Sequence, residues 1–477
     1  MRLSFSLFLL AATPSLAEKL YDAIIIGGGV SGLSAAKALS EAGKSFIVLE
    51  ARNRTSGRAH TVSLDNGGYV DVGGTFLGPT QDMALALVDE LGIERIEIPD
   101  NGNNVLWYQG DRQLYPSTGP LGPLPPIGED SLWQVFGAQT ALNEMAAQID
   151  VQNPWNHPDA KEWDAVSLKQ WLDSLELNDS AMWMLEFMTR CLFSVEADEL
   201  SLLYTVAYVA AGGNESTPGA FERLTGTTGG AQMWRMKNGA ESIARGLTNR
   251  LGSRNIALNS PVTSVTKTKK GYDVKTKSGK TFKGAHVIVA MSPPLAARIR
   301  FTPPLPPARQ AVQNLMRMGA VGKGIAVYDT PFWTEEGLTG QVLSDAGQGR
   351  VTYDLSSPQG EYGAIMAFMN ADEMRDYIDK TDEEITEAIE TNFVSYFGER
   401  ARNATEWSVF VWNREEYSLG GPTAVAGPGI YSQYGAALKQ AVGNIHFAGT
   451  ESSDYWVGYM DGAIRAGYRA AAEVIGA

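Results

Sequence analysis

The sequence predicts an α/β chain in which a domain built on a parallel βαβ core is interleaved with a second, α+β domain. Three observations predict it. Residues 21–50 read as strand, glycine-rich turn, helix and second strand. Apolar, strand-rich segments return far along the chain at 256–290 and again at 445–451. The length, 477 residues at 44% hydrophobic content, exceeds what a single core usually fills, so two domains are expected.

Residues 1–17 carry Arg2, an apolar run from Phe5 to Ala12 and a small-residue ending at Ser15-Leu16-Ala17. This pattern reads as a secretory signal peptide cleaved before Glu18, because the run is too short to span a bilayer. A short apolar strand or anchor is the alternative. The expected location is the secretory-pathway lumen or the exterior, and sequons at Asn53, Asn178, Asn214 and Asn403 then become glycosylation acceptors. Asn53 falls inside the nucleotide-binding region and is expected to stay unmodified.

Cys191 is the single cysteine, so no disulfide forms within the chain, and it reads as a buried structural thiol rather than a nucleophile. One cysteine and four scattered histidines offer no dedicated metal site. A formal charge of −15 argues against nucleic acid as a partner, since such binding needs clustered Lys and Arg. No internal repeat or low-complexity block interrupts the chain.

The first element, Tyr21–Ile26, is a run of apolar and β-branched residues leading into Gly27-Gly28-Gly29-Val30-Ser31-Gly32 and a helix. Gly27 allows the tight turn, Gly29 lets backbone approach a pyrophosphate, and Gly32 lets the helix pack closely on the strand. The second strand, residues 45–49, ends in Glu50, placed to accept hydrogen bonds from ribose hydroxyls. A glycine turn between unrelated elements is the alternative, and the complete βαβ context argues against it. This unit identifies a Rossmann-type dinucleotide site without separating NAD from FAD. Arg52 and Arg58 follow at once; basic groups there suit a second phosphate, although a solvated loop would look the same.

Glu50 to Arg58 resembles the Glu-Ala-Arg-x-Arg-x-Gly-Gly-Arg stretch of the flavin amine oxidase family. The resemblance continues through Tyr69–Gln81, Gly229–Gln232, the strand-rich region 256–290, Ile445–Glu451 and Trp456–Ala463, and covers about Asp22 to Ile475. It implies an FAD-binding Rossmann-type (βαβ) domain at 18–100, 225–299 and 423–477, interleaved with an α+β substrate-binding domain at 101–224 and 300–422. It implies a flavoprotein oxidoreductase that converts an amine to an imine, and on hydrolysis to an aldehyde or ketone, while oxygen becomes hydrogen peroxide.

For the site, the resemblance places Arg52 and Arg58 near the FAD phosphates and the Gly73-Gly74 backbone against the flavin, although a plain turn would also use adjacent glycines. Val262 falls at the position that contacts adenine. Thr450 and Glu451 lie near the ribityl and phosphate groups, and Met460 at a helix N-terminus directed at the flavin. Lys323 matches the family's active-site lysine, which makes a water-bridged contact to the flavin; a lysine snorkelling from a strand edge is the alternative. Trp412 and Tyr459 are aromatic candidates for the wall that receives the amine.

Two departures are informative. Gly421 stands where members with covalently bound FAD carry a cysteine, so FAD is expected to be non-covalent. Pro422 stands where those members carry the second tyrosine of a two-tyrosine cage, so a roomier pocket and an uncharged-tailed aromatic or alicyclic amine are expected. The chain also stops at Gly476-Ala477, where mitochondrial relatives continue into a membrane-spanning helix, so no transmembrane segment is expected. An L-amino-acid oxidase would need an arginine for the substrate carboxylate. A polyamine oxidase would need tunnel carboxylates, for which Glu186, Glu196 and Glu222 are candidates. A non-catalytic relative resembling the GDP dissociation inhibitors would make Lys323 and Tyr459 incidental. A homodimer is left open.

Overall fold

The computed structural model describes residues 19–119 and 122–477, so the expected signal peptide lies outside the described residues. Strand Leu20–Ile26 runs parallel to Phe46–Leu49 on one side and to Thr281–Ala290 on the other. Its isoleucines are buried on both faces, as a strand covered on both sides requires. Ile256–Ala257 extends the sheet beyond Phe46–Leu49.

Strand Thr281–Ala290 is long enough to fork the sheet. Its C-terminal half pairs in parallel with Ile445–Ala448, and its N-terminal half pairs antiparallel with Gly271–Thr276. From there the sheet continues through Val262–Thr268 to Arg300–Thr302. The turn before the fork is a hairpin, with Gly279 at φ +88°. Arg300–Thr302 thus joins the first sheet beyond the expected boundary at 299.

Helices Val30–Glu41 and Met460–Ile475 cross closely against this sheet. A Cβ on Gly467 would lie 2.2 Å from the Ser31 carbonyl oxygen, and one on Gly32 would lie 2.0 Å from that of Gly27. Both approaches therefore exist only because the side chains are absent. The two helix N-termini come to the carboxyl ends of the parallel strands, where Gly29 and Tyr459 precede them.

A second sheet runs in the order Glu406–Val411, Val321–Tyr328, Gly363–Asn370, Val351–Asp354, Leu338–Ser344, Asn103–Tyr108 and Asp111–Pro116. Its pairs are antiparallel except for Leu338–Ser344 with Asn103–Tyr108. Helices Glu129–Ala146, Asp179–Phe193 and Leu202–Ala210 share a core beside it, and Leu202–Ala210 is buried along its whole length. Ala424–Val425 pairs with Arg317–Met318, so the chain past the expected boundary at 423 still contacts the substrate-side elements. Among the described residues no helix is long and apolar enough to cross a membrane.

Gly32→Ala tests the close packing at the first turn. The added methyl must displace the Gly27 carbonyl, and overpacking of this kind costs about 1–3 kcal/mol. A lowered thermal midpoint with weakened cofactor retention is expected, and an unchanged midpoint would show that the turn can relax.

Candidate active site

The carboxyl ends of the parallel strands and the inner strands of the second sheet enclose a cavity of about 580 Å³. One end is formed by the turn after Leu20–Ile26, the segment 49–59 and the start of strand Val262–Thr268. The other is formed by residues of strands Val321–Tyr328 and Gly363–Asn370, helix Leu202–Ala210 and the segments 412–422 and 458–463.

Gly27, at φ +108°, and Gly29 line the first end. Glu50 is buried there, and its carboxylate accepts the Gly28 N–H at 2.6 Å and the Arg52 N–H at 2.9 Å. It therefore holds the glycine turn while presenting an edge to the cavity. Arg52 pairs with Glu415 at 3.1 Å and donates to Ser418 Oγ at 2.8 Å. Val262 lies at the same end with Ser260, Pro261 and Thr263.

Arg58 lines the middle of the cavity. Its guanidinium donates to both Glu451 oxygens, at 2.6 and 3.1 Å, and to the Pro422 carbonyl at 2.8 Å. Glu451 itself is not on the wall. It sits behind Arg58, where burial would push its carboxyl pKa upward, but the Arg58 charge and the hydrogen bonds from Arg58 and the Ala424 N–H hold it below the usual range. Glu451 thus orients the arginine that lines the wall. Gly32 is likewise off the wall, its role being helix packing.

Gly73 and Gly74 divide the labour expected of the pair. A Cβ on Gly73 would lie 2.2 Å from the Arg58 carbonyl oxygen, whereas Gly74 is open to the cavity. Thr450 lines the wall, accepts the Gly458 N–H at 2.7 Å and donates to the Tyr459 carbonyl at 3.0 Å, which fixes the entry to helix Met460–Ile475. Met460, at the start of that helix, also lines the cavity.

Lys323 lies mid-strand in Val321–Tyr328, flanked on both sides, and is 3% exposed, so it does not snorkel from an edge. Its ammonium donates to the carbonyls of Asp71 at 3.0 Å and Gly73 at 2.6 Å and to Thr75 Oγ1 at 2.8 Å. The Phe368 ring centroid lies 4.9 Å from the same nitrogen. Burial pulls its pKa down to about 7, with the Asp71 charge working the other way.

Trp412 is buried and donates from Nε1 to the Val72 carbonyl at 2.8 Å. The Tyr459 ring packs edge-on against Trp456 at 4.8 Å, and its hydroxyl donates to the Leu224 carbonyl at 3.4 Å. Gly421 and Pro422 both line the cavity. So do Phe76, Leu192, Tyr208, Gln232, Phe368 and Asn370, which sequence reasoning did not single out. Phe76 and Gln232 fall inside segments already marked by the resemblance; the other four carry no local signature. Cys191 also reaches the wall, with burial pushing its thiol pKa up to about 12, which keeps it protonated.

The donor set suits FAD. A buried acid sits at the ribose position, two arginines and two helix N-termini meet along one stretch of wall, and a side-chain-free Gly74 faces the far end. The family model described as flavin containing amine oxidoreductase matches residues 30–475. An amine oxidase [flavin-containing] of Oncorhynchus mykiss is 35% identical over 466 residues, covering 96% of this chain and 86% of that protein. The solved cyclohexylamine oxidase from Brevibacterium oxydans IH-35A superposes with a TM-score of 0.89 at 30% identity, covering 96% of this chain and 99% of its own. A putrescine oxidase solved with putrescine gives the same TM-score and identity, covering 96% and 100%.

Lys323→Met should leave the cavity loaded and slow turnover by on the order of a few kcal/mol of transition-state stabilisation. The wild-type lysine loses its charge as pH rises through about 7. The ratio of wild-type to variant rate should therefore be largest below that pH and fall above it. Equal rates at every pH in both half-reactions would assign Lys323 to structure alone.

Proposed function

The chain belongs to the flavin containing amine oxidoreductase family, and on that premise we propose that its substrate is an aromatic or alicyclic amine with an uncharged tail. It is an FAD-dependent amine oxidase, so the non-catalytic reading gives way. The proposal further holds that the amine leaves as an imine and that oxygen is the electron acceptor.

One observation supports the substrate class. Around Lys323 the wall is made of Phe76, Leu192, Tyr208, Phe368, Trp412 and Tyr459. A polyamine would need a carboxylate there, yet Glu186 lies by Lys169, Glu196 pairs with Arg190, and Glu222 accepts from Asn143. A substrate carboxylate would need a free arginine, yet Arg52 and Arg58 are committed to Glu415 and Glu451, and Arg298 donates to the Glu416 carbonyl.

Bound FAD supplies the two-electron acceptor for the bond between carbon and nitrogen. The chain's own residues orient and enclose. The Tyr459 ring offers its face to the amine nitrogen, the apolar wall excludes water, and the Lys323 ammonium supplies positive charge beside Gly73 and Thr75.

We also propose that FAD is held without a covalent bond, since Gly421 has no side chain to link and the Cys191 thiol is held protonated. Acid precipitation should release yellow flavin into the supernatant. Colour remaining with the pellet would overturn this.

Secretion after loss of residues 1–17 belongs to the same reading. Asn178 Oδ1 caps helix Asp179–Phe193 by accepting the Ala181 N–H, and Asn214 Oδ1 accepts from Ser216 and Thr217. Asn403 is exposed at the end of the turn Glu399–Asn403, and is therefore the preferred glycan acceptor. Glycosidase treatment of secreted protein should lower its mass, and Asn403→Gln should abolish that shift.

For the substrate, a panel should be scored by peroxide release: a slender primary arylalkylamine, its N-methyl and ring-fused analogues, putrescine and an L-amino acid. Turnover of the first three is expected, with the bulkier two tolerated, and Pro422→Tyr should turn the preference back toward the slender amine. Preference for putrescine or the amino acid would reject the proposed class.

A further inference from the structure

Helix Leu202–Ala210 lies outside every motif that identifies the family, yet it delivers a side chain to the amine end of the cavity. Ser201 caps it by accepting the Tyr204 N–H at 3.2 Å. Tyr204 and Tyr208 follow one turn apart on one face, with ring centroids 6.3 Å apart. Tyr208 is further fixed by the Phe193 ring at 4.5 Å, and it is 4% exposed while still lining the cavity.

The place of its hydroxyl can be read from a glycine. A Cβ on Gly458 would lie 2.9 Å from the Tyr208 hydroxyl oxygen and 3.3 Å from Thr423 Cβ. The phenol tip therefore sits beside the residue that follows Pro422, in space left free by Gly458. On its other side it faces the Tyr459 hydroxyl, and the two rings lie 6.3 Å apart at 41°.

We propose that Tyr208 is a specificity-determining wall of the amine site, supplying from helix Leu202–Ala210 the second aromatic ring that position 422 lacks. The ring limits the width available to the amine beside Tyr459. The Tyr208 hydroxyl lies next to that of Tyr459, which donates to the Leu224 carbonyl. The Tyr208 oxygen keeps a lone pair for an amine N–H, and burial keeps both phenols neutral. A primary amine then has a partner that an N-alkylated one must give up or crowd, so the N-alkylated amines that position 422 admits are oxidised, but less efficiently than the primary amine. This inference rests on the amine oxidase reading but not on the identity of the tail.

The test uses the FAD-loaded enzyme, anaerobic flavin reduction, and the best amine of the panel paired with its N-methyl derivative. Tyr208→Leu should keep the flavin spectrum, weaken binding of the primary amine about tenfold, and raise the N-methyl to primary ratio of specificity constants about tenfold. Tyr208→Phe keeps the ring and loses the hydroxyl, so it should weaken the primary amine and raise that ratio by about threefold, less than Tyr208→Leu does. A Tyr208→Leu ratio within about twofold of wild type would overturn the proposal, as would an equal change in both variants. Should Tyr208→Leu lose its flavin, Tyr208→Trp decides: its larger ring should exclude the N-methyl amine, and an unchanged ratio would overturn the proposal. Because the pair is built on whichever amine the wild type oxidises best, a wrong substrate class appears in the panel and not in this ratio.

Discussion

The ion pair between Arg58 and the buried Glu451 is the contact on which the site's assembly depends. It joins the turn after the second strand of the dinucleotide unit to the strand end before the last helix, nearly four hundred residues later in the chain. Through the Pro422 carbonyl and the Ala424 N–H it also fixes the segment that walls the amine end. A carboxylate this deeply buried is tolerable only because a bidentate guanidinium and a backbone N–H satisfy it. Removing Arg58 would leave the buried Glu451 carboxylate uncompensated, at a cost of about 3–5 kcal/mol. The pair therefore matters more for geometry than for net stability.

The dinucleotide unit was legible in the sequence because its physics is local. Gly27 needs a positive φ, Gly32 needs a missing Cβ, and Glu50 must accept amides one strand away; each requirement leaves its mark within thirty residues. Glu451 was legible as a residue near the site, while its part in holding Arg58 was not. A motif gives a residue's proximity to a site, but it does not say whether the side chain forms the wall or stands behind it.

Tyr208, Leu192, Phe368 and Asn370 left no such mark. Each lies in an apolar helix or strand whose pattern is explained by burial alone, and only the pairing of distant segments brings them to the cavity. Lys323 marks the boundary between the two cases. A lysine in a run of apolar residues is conspicuous, but its meaning depends on whether the strand is at an edge or inside, which is a property of the whole sheet. The same reasoning applies to Cys191: its sequence suggested only a core thiol, and the fold put that thiol on the cavity wall without making it reactive.

One cavity must hold a polyanionic cofactor at one end and an amine at the other, and the distribution of charge along its wall bears on both. Arg52, Arg58 and Arg298 reach the wall from the nucleotide side, each already tied to a protein acceptor, so their positions do not depend on what fills the cavity. Beyond Gly73-Gly74 the wall turns aromatic, and the cation that remains is Lys323, whose charge burial makes marginal near neutral pH. An ammonium held this way raises little standing barrier to an amine, because it gives up its proton readily, yet it can carry charge when charge develops beside it. A permanently charged arginine at that position would repel protonated amine and invite carboxylates. The lysine, softened by burial, leaves the aromatic end of a cavity assembled around phosphates without a fixed positive charge of that kind.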